Sequence, residues 1–541
     1  MASAIEGELR LIFAGAGSKI NPCPPSEQSR FVEQGPLEPV PINQQSELPF
    51  SGRVESQLTP LVMDVPPILR LPTEILTLIF ENVASSYHET RKTLRKFAFI
   101  CRRLTQIVLP LLYRDVLVRV AAGRALEALF AVLQKRPLYC EIVRGLVIQM
   151  DDSIDIHRRN LYITCDIITC LTNVRALTFR GGWERYPDQT WGLVHRASRS
   201  MPALETLSLN RMGEGLTVRD ILEIVQMPNL RQLELSGIDF RTPGRTARAE
   251  RQAKRPSCQP DSTKGTAQFS SLHIQDYDVK SAAFQELILW PKALIHFHAS
   301  ILWDSSPECQ VDLSMLSTWL FAHKDTLQTI DITFIDSLHS GKLFQTRGFI
   351  ALERLTLPWW QIRRYGSWQQ EDERDPPFIF LPAHTDALLC APRLTTLNLD
   401  YGLSVHGVDS CDTFGEVEAR WILELARAAW AKQAALRTIC VRYRPEPHRL
   451  DEVLEYPWDR LVRLREDLQP LGIRLEWDEP SFSEEEWIQA RMQASPPWEA
   501  MRGSESPPLD DGMLFGCGLS KNGEPSVEEQ EAWEYAHRAI R

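Results

Sequence analysis

The stretch LRQLEL at residues 230–235 contains the pattern that decides the fold of this chain. Its first, fourth and sixth residues are apolar, and the alternation of an extended strand points Leu233 and Leu235 to one side. Gln232 and Glu234 then point to the other side. The same spacing recurs in nine further stretches, which begin at Val143, Val174, Leu204, Phe269, Leu294, Leu327, Leu352, Leu394 and Leu436. The sequence therefore predicts ten strands, each with one buried face.

Helical stretches lie between these copies. TVRDILEIVQM at 217–227 and EVEARWILELARAAWAKQ at 416–433 are two examples. A strand and a helix per unit, repeated in line, give a stack in which each unit contacts only its neighbours. The units resemble leucine-rich repeats, which implies an α/β fold with an irregular solenoid over residues 117–478. The Asn or Cys that follows the strand in that family is replaced here by residues such as Met212 and Ile238.

The composition limits the classes of function. The 541 residues carry a net charge of −11 and are 43% apolar, which fits a mostly globular protein and argues against general nucleic-acid binding. A protein partner fits this charge better. Eleven cysteines without a CxxC pair indicate reduced thiols, as in the cytoplasm or the nucleus. The short apolar run LIFAG at 11–15 predicts neither a signal peptide nor a membrane span.

Both ends of the chain depart from the repeat pattern. Residues 1–65 are rich in Pro, Ser, Gln and Glu, and residues 479–541 form an acidic tail. We expect both segments to be largely disordered, because they carry too little periodic apolar content to build a core. Within the tail, Ser483 and Glu486 have the spacing of a capping box, which predicts one short helix.

A separate helical pattern precedes the repeats. LPTEILTLIFENV at 71–83 places Ile75, Ile79 and other apolar residues on one helical stripe directly after a proline. A second segment, LRKFAFICRRLTQIVL at 94–109, repeats apolar residues at helical spacing, and we expect its helix to stop at Pro110. Two or three short helices are therefore predicted. One interpretation is a cap that shields the first repeat from solvent.

The order of these residues also resembles an F-box, over residues 66–116. The resemblance rests on the Leu-Pro opening, the acidic residue Glu74, the Ile-Leu and Ile-Phe pairs of the first helix, and ICRRL at 100–104. It implies docking to the Skp adaptor of a cullin-RING ubiquitin ligase, with apolar side chains buried against a partner helix. The adaptor contacts that it implies are Leu71, Pro72, Ile75, Leu76, Ile79, Phe80 and Leu104.

The repeats would then present an unknown protein substrate. Their exposed strand positions are polar and of mixed charge, and an insertion at about 358–385 adds Trp, Tyr and Arg, which dominate interface energetics. Candidate substrate contacts are Arg354, Trp359, Trp360, Trp368, Asn398 and Asp400. Alternatively, these aromatic side chains pack on the repeats as core. A second insertion, at about 241–266, is basic and predicts a solvated loop or a nuclear-import or phosphate-contacting patch.

Enzyme and cofactor motifs are weak in this sequence. GAGSKI at 15–20 lacks both the third glycine of a dinucleotide-binding turn and the GK[ST] of a P-loop. His296 and His298 have no third metal ligand near them in the sequence. We therefore expect no enzyme activity, cofactor or metal. The main alternative to a ligase subunit is a repeat scaffold that binds a protein partner without a ligase, in which residues 70–115 act only as a cap.

Overall fold

The computed structural model of the chain describes residues 67–494, apart from short breaks and the longer gaps at 211–217, 240–263, 303–310, 336–342, 363–379, 402–413 and 444–455. The expectations for residues 1–65, for most of both insertions and for the end of the tail lie outside the described residues. Contacts divide the chain into two compact units. The larger comprises residues 1–445 with 457–479, and the smaller comprises residues 446–456 with 480–541.

Among the described residues, three α-helices precede the first strand of the larger unit. After a short 3-10 helix at Pro67–Arg70 come α1 (Thr73–Ser85), α2 (His88–Ala98) and α3 (Arg102–Arg114). They share a hydrophobic core of their own, formed by Leu76, Phe80, Leu94, Ala98, Leu104, Ile107, Val108 and Leu112. The prediction that the helix stops at Pro110 is wrong, because α3 continues through this proline to Arg114. Buried Leu112 and Tyr113 anchor its last turn.

In the part of the larger unit that the structure describes, a 12-stranded, entirely parallel sheet follows, and its strand order runs with the chain from β1 to β12. The strands are β1 Asp115–Arg119, β2 Gly145–Gln149, β3 Ala176–Arg180, β4 Thr206–Asn210, β5 Gln232–Asp239, β6 Ser271–Asp278, β7 His296–Leu302, β8 Thr329–Ile332, β9 Arg354–Pro358, β10 Thr396–Asp400, β11 Thr438–Arg442 and β12 Arg474–Trp477. The predicted α/β class is therefore confirmed.

The ten sequence copies form β2 to β11, and each strand begins at the third residue of its copy. In β5, Leu233 and Leu235 are buried, whereas Gln232 and Glu234 are half-exposed on the opposite face, as predicted. Equivalent positions are in register from strand to strand, so the apolar residues form two continuous buried rows.

The first and last strands of the sheet were not predicted. β1 follows the apolar spacing, with Tyr113, Val116 and Val118, but it continues directly from α3, and its start lies within residues 66–116, which were assigned to the F-box. β12 departs from the spacing because Gly472 stands at the first apolar position. That residue has a φ of 69°, which ends the preceding 3-10 helix and favours glycine.

Helices connect the strands and cover the apolar rows. They are α4 Gly123–Lys135, α5 Pro137–Ile142, α6 Arg158–Cys170, α7 Pro187–Ser200, α8 Ser281–Leu289, α9 Leu313–Leu320, α10 Pro382–Leu388, α11 Glu416–Ala431 and α12 Pro457–Leu468. Among the described residues, no helix combines the length and the apolar content needed to cross a membrane.

The smaller unit contains the helix predicted in the tail, α13, at Glu484–Ala494. The capping box before it is present, since the Ser483 amide donates to Glu486 Oε2 at 2.9 Å and the Glu486 amide donates to Ser483 Oγ at 3.3 Å. Tyr456 also donates its hydroxyl to the carbonyl of Phe482 at 2.7 Å.

Candidate functional site

Helix α1 has apolar residues on two faces, and only one of them is buried. Leu76 and Phe80 lie in the core of the three helices with 0% and 2% of their surface exposed. Leu78 and Ile79 lie three and four residues after Ile75, so these three residues form a second stripe, exposed at 55%, 38% and 43% respectively. We call this second stripe the α1 apolar stripe.

The turn between α2 and α3 exposes more apolar surface. Phe99 and Ile100 are 46% and 59% exposed there. Within the described residues, fifteen large apolar side chains are exposed, and six of them lie between residues 68 and 100. Such a concentration is typical of a protein-binding surface, because scattered single residues are the usual case elsewhere.

Three of the predicted adaptor contacts have a different role in this structure. Leu76, Phe80 and Leu104 are buried against α2 and α3, so they stabilise the helical core and present no surface to a partner. This placement corrects their assignment as contact residues. Leu71 is half-buried against the same core, whereas Pro72, Ile75 and Ile79 are exposed and remain available.

Leu78, Phe99 and Ile100 are exposed in the structure but were not among the predicted adaptor contacts. Leu78 lies three residues after Ile75, and this spacing could have identified it. A helix with more apolar residues than one face can hold indicates a second buried surface. Phe99 and Ile100 fall in the break between α2 and α3, where helical spacing gives no information about exposure.

Arg103 fixes the chain at the entrance to α1. Its guanidinium donates to the carbonyls of Leu69 and Leu71, the latter at 2.6 Å, and lies 3.4 Å from Thr73 Oγ1. These bonds hold the Leu-Pro opening against α3. Arg103 belongs to the ICRRL stretch, so the structure gives that part of the sequence pattern a physical role.

Replacing Arg103 by alanine should therefore loosen the segment at residues 67–76. We expect a loss of about 1–2 kcal/mol in local stability, since bonds from a charged donor to backbone carbonyls are lost at a partly exposed site. Hydrogen exchange of the α1 amides measures this loss of local stability. Arg102→Ala is the matched control, because Arg102 is exposed and should leave the exchange rates unchanged. Equal exchange in both variants would contradict this role.

The second candidate surface is the polar face of the sheet, opposite the helix-covered rows. One row along this face is in register over all strands and becomes polar from β3 onward. We call this row the central row. Its members from β5 to β12 are Glu234, His273, His298, Asp331, Thr356, Asn398, Cys440 and Glu476.

A polar network links the middle of the central row. His298 Nδ1 lies 3.2 Å from Asp331 Oδ2. Arg442 on β11 reaches Asp331 Oδ1 at 3.4 Å, which carries its side chain across β9 and β10. Burial raises the pKa of Asp331, but hydrogen bonds from His298 and Thr356 and the charge of Arg442 outweigh it, so the pKa is lowered. Asp331 is thus ionised and fully occupied by its neighbours.

Two other groups of this row are held uncharged. Burial, reinforced by the neighbouring His298, lowers the pKa of His273, whose ring centroid is 5.4 Å from that of His298. Burial and the nearby Glu476 carboxylate raise the pKa of the Cys440 thiol to about 11. A thiol with this pKa stays protonated at neutral pH and is a poor nucleophile. The row is suited to recognition by hydrogen bonds and charge.

Asn398 and Arg354, both candidate substrate contacts, lie on this polar face. Asn398 is 5% exposed, and its Nδ2 donates to Thr356 Oγ1 at 2.9 Å. Its carbonyl oxygen Oδ1 is buried without a hydrogen-bond donor among the described residues. Arg354 begins β9 and is exposed. The register places these two residues on neighbouring strands.

The remaining candidate substrate residues are divided between the core and the undescribed segments. Trp359 is buried, stacked on Tyr401 at a ring-centroid distance of 5.1 Å and edge-on to Trp421 at 5.1 Å. Its assignment as a substrate contact is therefore corrected to a core role, the alternative that the sequence left open. Asp400 is nearly buried on the polar face. Trp360 and Trp368 lie outside the described residues.

No protein-family model matches the chain, and no curated protein matches its sequence.

Proposed function

We propose that this chain is the substrate-recognition subunit of a Skp/cullin/F-box-type ubiquitin ligase. The three N-terminal helices would form the F-box that binds the Skp adaptor, and the sheet would be an irregular leucine-rich-like repeat solenoid that binds a protein substrate. Such a subunit makes and breaks no bond itself. It would hold the substrate near the ubiquitin-carrying subunits, in the cytoplasm or the nucleus.

The α1 apolar stripe carries this proposal. A three-helix unit that already encloses its own core has no structural need for Ile75, Leu78 and Ile79 on a solvent-facing side. Their spacing suits docking of one helix face against a partner helix. The F-box resemblance supplies the identity of that partner, and the strand-and-helix units that follow supply a separate polar surface for a substrate.

The test is binding of the purified full-length chain to the Skp adaptor. Replacing Ile75 and Ile79 together by serine should weaken binding at least about 30-fold, because two central apolar anchors are lost. The matched control is Ile350→Ser, a residue that is 52% exposed elsewhere in the larger unit and should leave the affinity unchanged. Thermal unfolding of each variant checks that the fold is retained.

A second double variant distinguishes contact residues from core residues of the three helices. Leu76→Ala with Phe80→Ala should lower both adaptor binding and the stability of the three helices, since both side chains are buried. Full adaptor binding by the Ile75 and Ile79 double variant, or no binding by the unaltered chain, would reject the proposal.

One observation favours the second candidate, a repeat scaffold without a ligase. Helix α3 ends at Arg114 and β1 begins at Asp115, so the three helices run directly into the edge strand of the sheet. This is the position of a cap that protects a terminal repeat. A pure cap predicts that the Ile75 and Ile79 substitutions change no binding, which the same experiment measures.

A further inference from the structure

We propose that strands β8 to β11 of the polar face bind an extended, acidic peptide segment. Asn398 would accept a backbone N–H of that segment, and Arg354 would pair with its acidic side chain. This inference rests on the proposed function only in calling the segment part of a substrate.

The first argument is the hydrogen-bonding state of Asn398. A hydrogen bond from the Thr356 hydroxyl to the Asp331 carboxylate lowers the pKa of Asp331, so this hydroxyl is a donor towards Asp331. Thr356 Oγ1 then accepts from Asn398 Nδ2 at 2.9 Å, which fixes the orientation of the amide. Oδ1 of Asn398 is consequently the acceptor left without a donor among the described residues, and it is buried beside β9 and β10. A buried carbonyl without a donor is unfavourable, and a ligand N–H would satisfy it.

The second argument is the sign of the accessible charge. On the polar face of β8 to β11, the acids are sequestered, since Asp331 has 21% of its side chain exposed and Asp400 is 9% exposed. The bases face solvent, since Arg354 is exposed without an ion pair among the described residues, and Arg442 has 41% of its side chain exposed. A ligand approaching this part of the face meets positive charge, so an acidic segment complements it.

The spacing of the two anchors fits one short peptide. Arg354 and Asn398 lie on adjacent strands and are offset by two residues along them. Strand geometry therefore separates their Cα atoms by about 8 Å. In an extended peptide, an acidic side chain within two or three residues of the bonded N–H covers this distance at about 3.3 Å per residue. The recognised feature is thus local, with an acidic residue close to one critical backbone amide.

The experiment uses the full-length chain and three pools of random nine-residue peptides on the same neutral background, with central acidic, basic or uncharged residues. The acidic pool should bind, and the basic and uncharged pools should bind at least about tenfold more weakly. Arg354→Glu should reverse this preference towards the basic pool. Arg180→Glu on β3 is the matched control, because it is exposed on the same face but distant from Asn398, and it should keep the original preference.

Asn398 is tested with the best acidic peptide of that pool. Methylating the backbone amides of this peptide one at a time should identify one position at which methylation weakens binding at least about tenfold. The same methylation should not further weaken binding to the Asn398→Leu variant. This variant should already bind the unmethylated peptide at least about tenfold more weakly than the unaltered chain does. The thermal midpoint of each variant shows whether it is folded. Arg354→Gln is an additional control, because it changes an exposed side chain and leaves the hydrogen bonds of Asn398 intact.

Equal binding of the acidic and uncharged pools, an unchanged preference in Arg354→Glu, or full binding by Asn398→Leu would each overturn this inference. These outcomes are independent of adaptor binding, which is measured on the same preparations. Loss of peptide recognition with intact adaptor binding would reject the inference alone. The opposite result would reject the ligase proposal alone.

Discussion

Alanine at position 421 should lower the free energy of unfolding of the larger unit by about 3–5 kcal/mol, as expected for truncating a fully buried tryptophan. Trp421 is 1% exposed in helix α11. Its ring lies 5.1 Å from that of Trp359, 5.5 Å from that of His384 and 5.9 Å from that of Phe380, measured between ring centroids. Its removal leaves a cavity that these rings cannot fill without moving off their packed positions.

The same helix provides the control for this prediction. Trp430 is 66% exposed near the end of α11, so Trp430→Ala removes the same side chain without opening a cavity and should cost less than about 1 kcal/mol. Urea unfolding followed by circular dichroism compares the two midpoints. Similar midpoints for the two variants would show that the aromatic cluster around Trp421 adds little to stability.

The stability of the larger unit should fall as the pH is lowered from 7 to 5, and His384 should be a main cause. Burial lowers the pKa of His384 from 6.5 to about 4, and its Nδ1 accepts from the Leu381 amide at 2.8 Å, which requires a neutral ring. Between these two pKa values the unfolded chain binds a proton that the folded chain does not bind. The stabilisation is therefore complete above pH 6.5 and decreases towards pH 4, by about 3 kcal/mol in total and about 2 kcal/mol by pH 5.

Urea unfolding at pH 7 and pH 5 measures this effect. His384→Gln should reduce the difference between the two pH values by about 2 kcal/mol, because glutamine does not titrate. His296→Gln, a change of an exposed histidine on β7, should keep the original difference. His323 adds to the same trend, since burial also lowers its pKa. Asp331 acts outside this range, because its lowered pKa removes stability only below its ordinary value of 3.8. An unchanged difference in His384→Gln would contradict the assignment.

The sheet could be predicted from the sequence because the apolar pattern of each strand lies within a few consecutive residues. Each strand needs two inward apolar residues separated by one outward residue, and all ten predicted copies meet this condition, including LIHFHA at 294–299, where Phe297 and Ala299 are the buried pair. The strands β1 and β12 were not predicted, because residues at their pattern positions belong to a neighbouring helix or turn. Gly472 occupies the first apolar position of the β12 pattern and adopts a left-handed conformation. Tyr113 occupies that position of the β1 pattern and belongs to the end of α3.

The candidate surfaces were only partly predictable, because they depend on which neighbours an element meets. The sequence places Ile75, Leu76, Ile79 and Phe80 on one broad apolar stripe, and only the packing of α2 and α3 decides that Leu76 and Phe80 face inward. The bond between Asp331 and Arg442 joins residues 111 positions apart and has no sequence signal. The orphan acceptor of Asn398 likewise follows from two hydrogen bonds that no spacing pattern contains.

The chain-ordered pairing of the twelve strands has a consequence for how the protein is made. Every strand pairs with its immediate successor, so no strand has to wait for a distant part of the chain before it can pair. Loop-closure cost grows slowly with length, and pairs at short separation form early. During synthesis, each newly completed strand can add to the edge left by the previous one. A lengthened connection such as that between β5 and β6 delays one addition without changing which strand comes next.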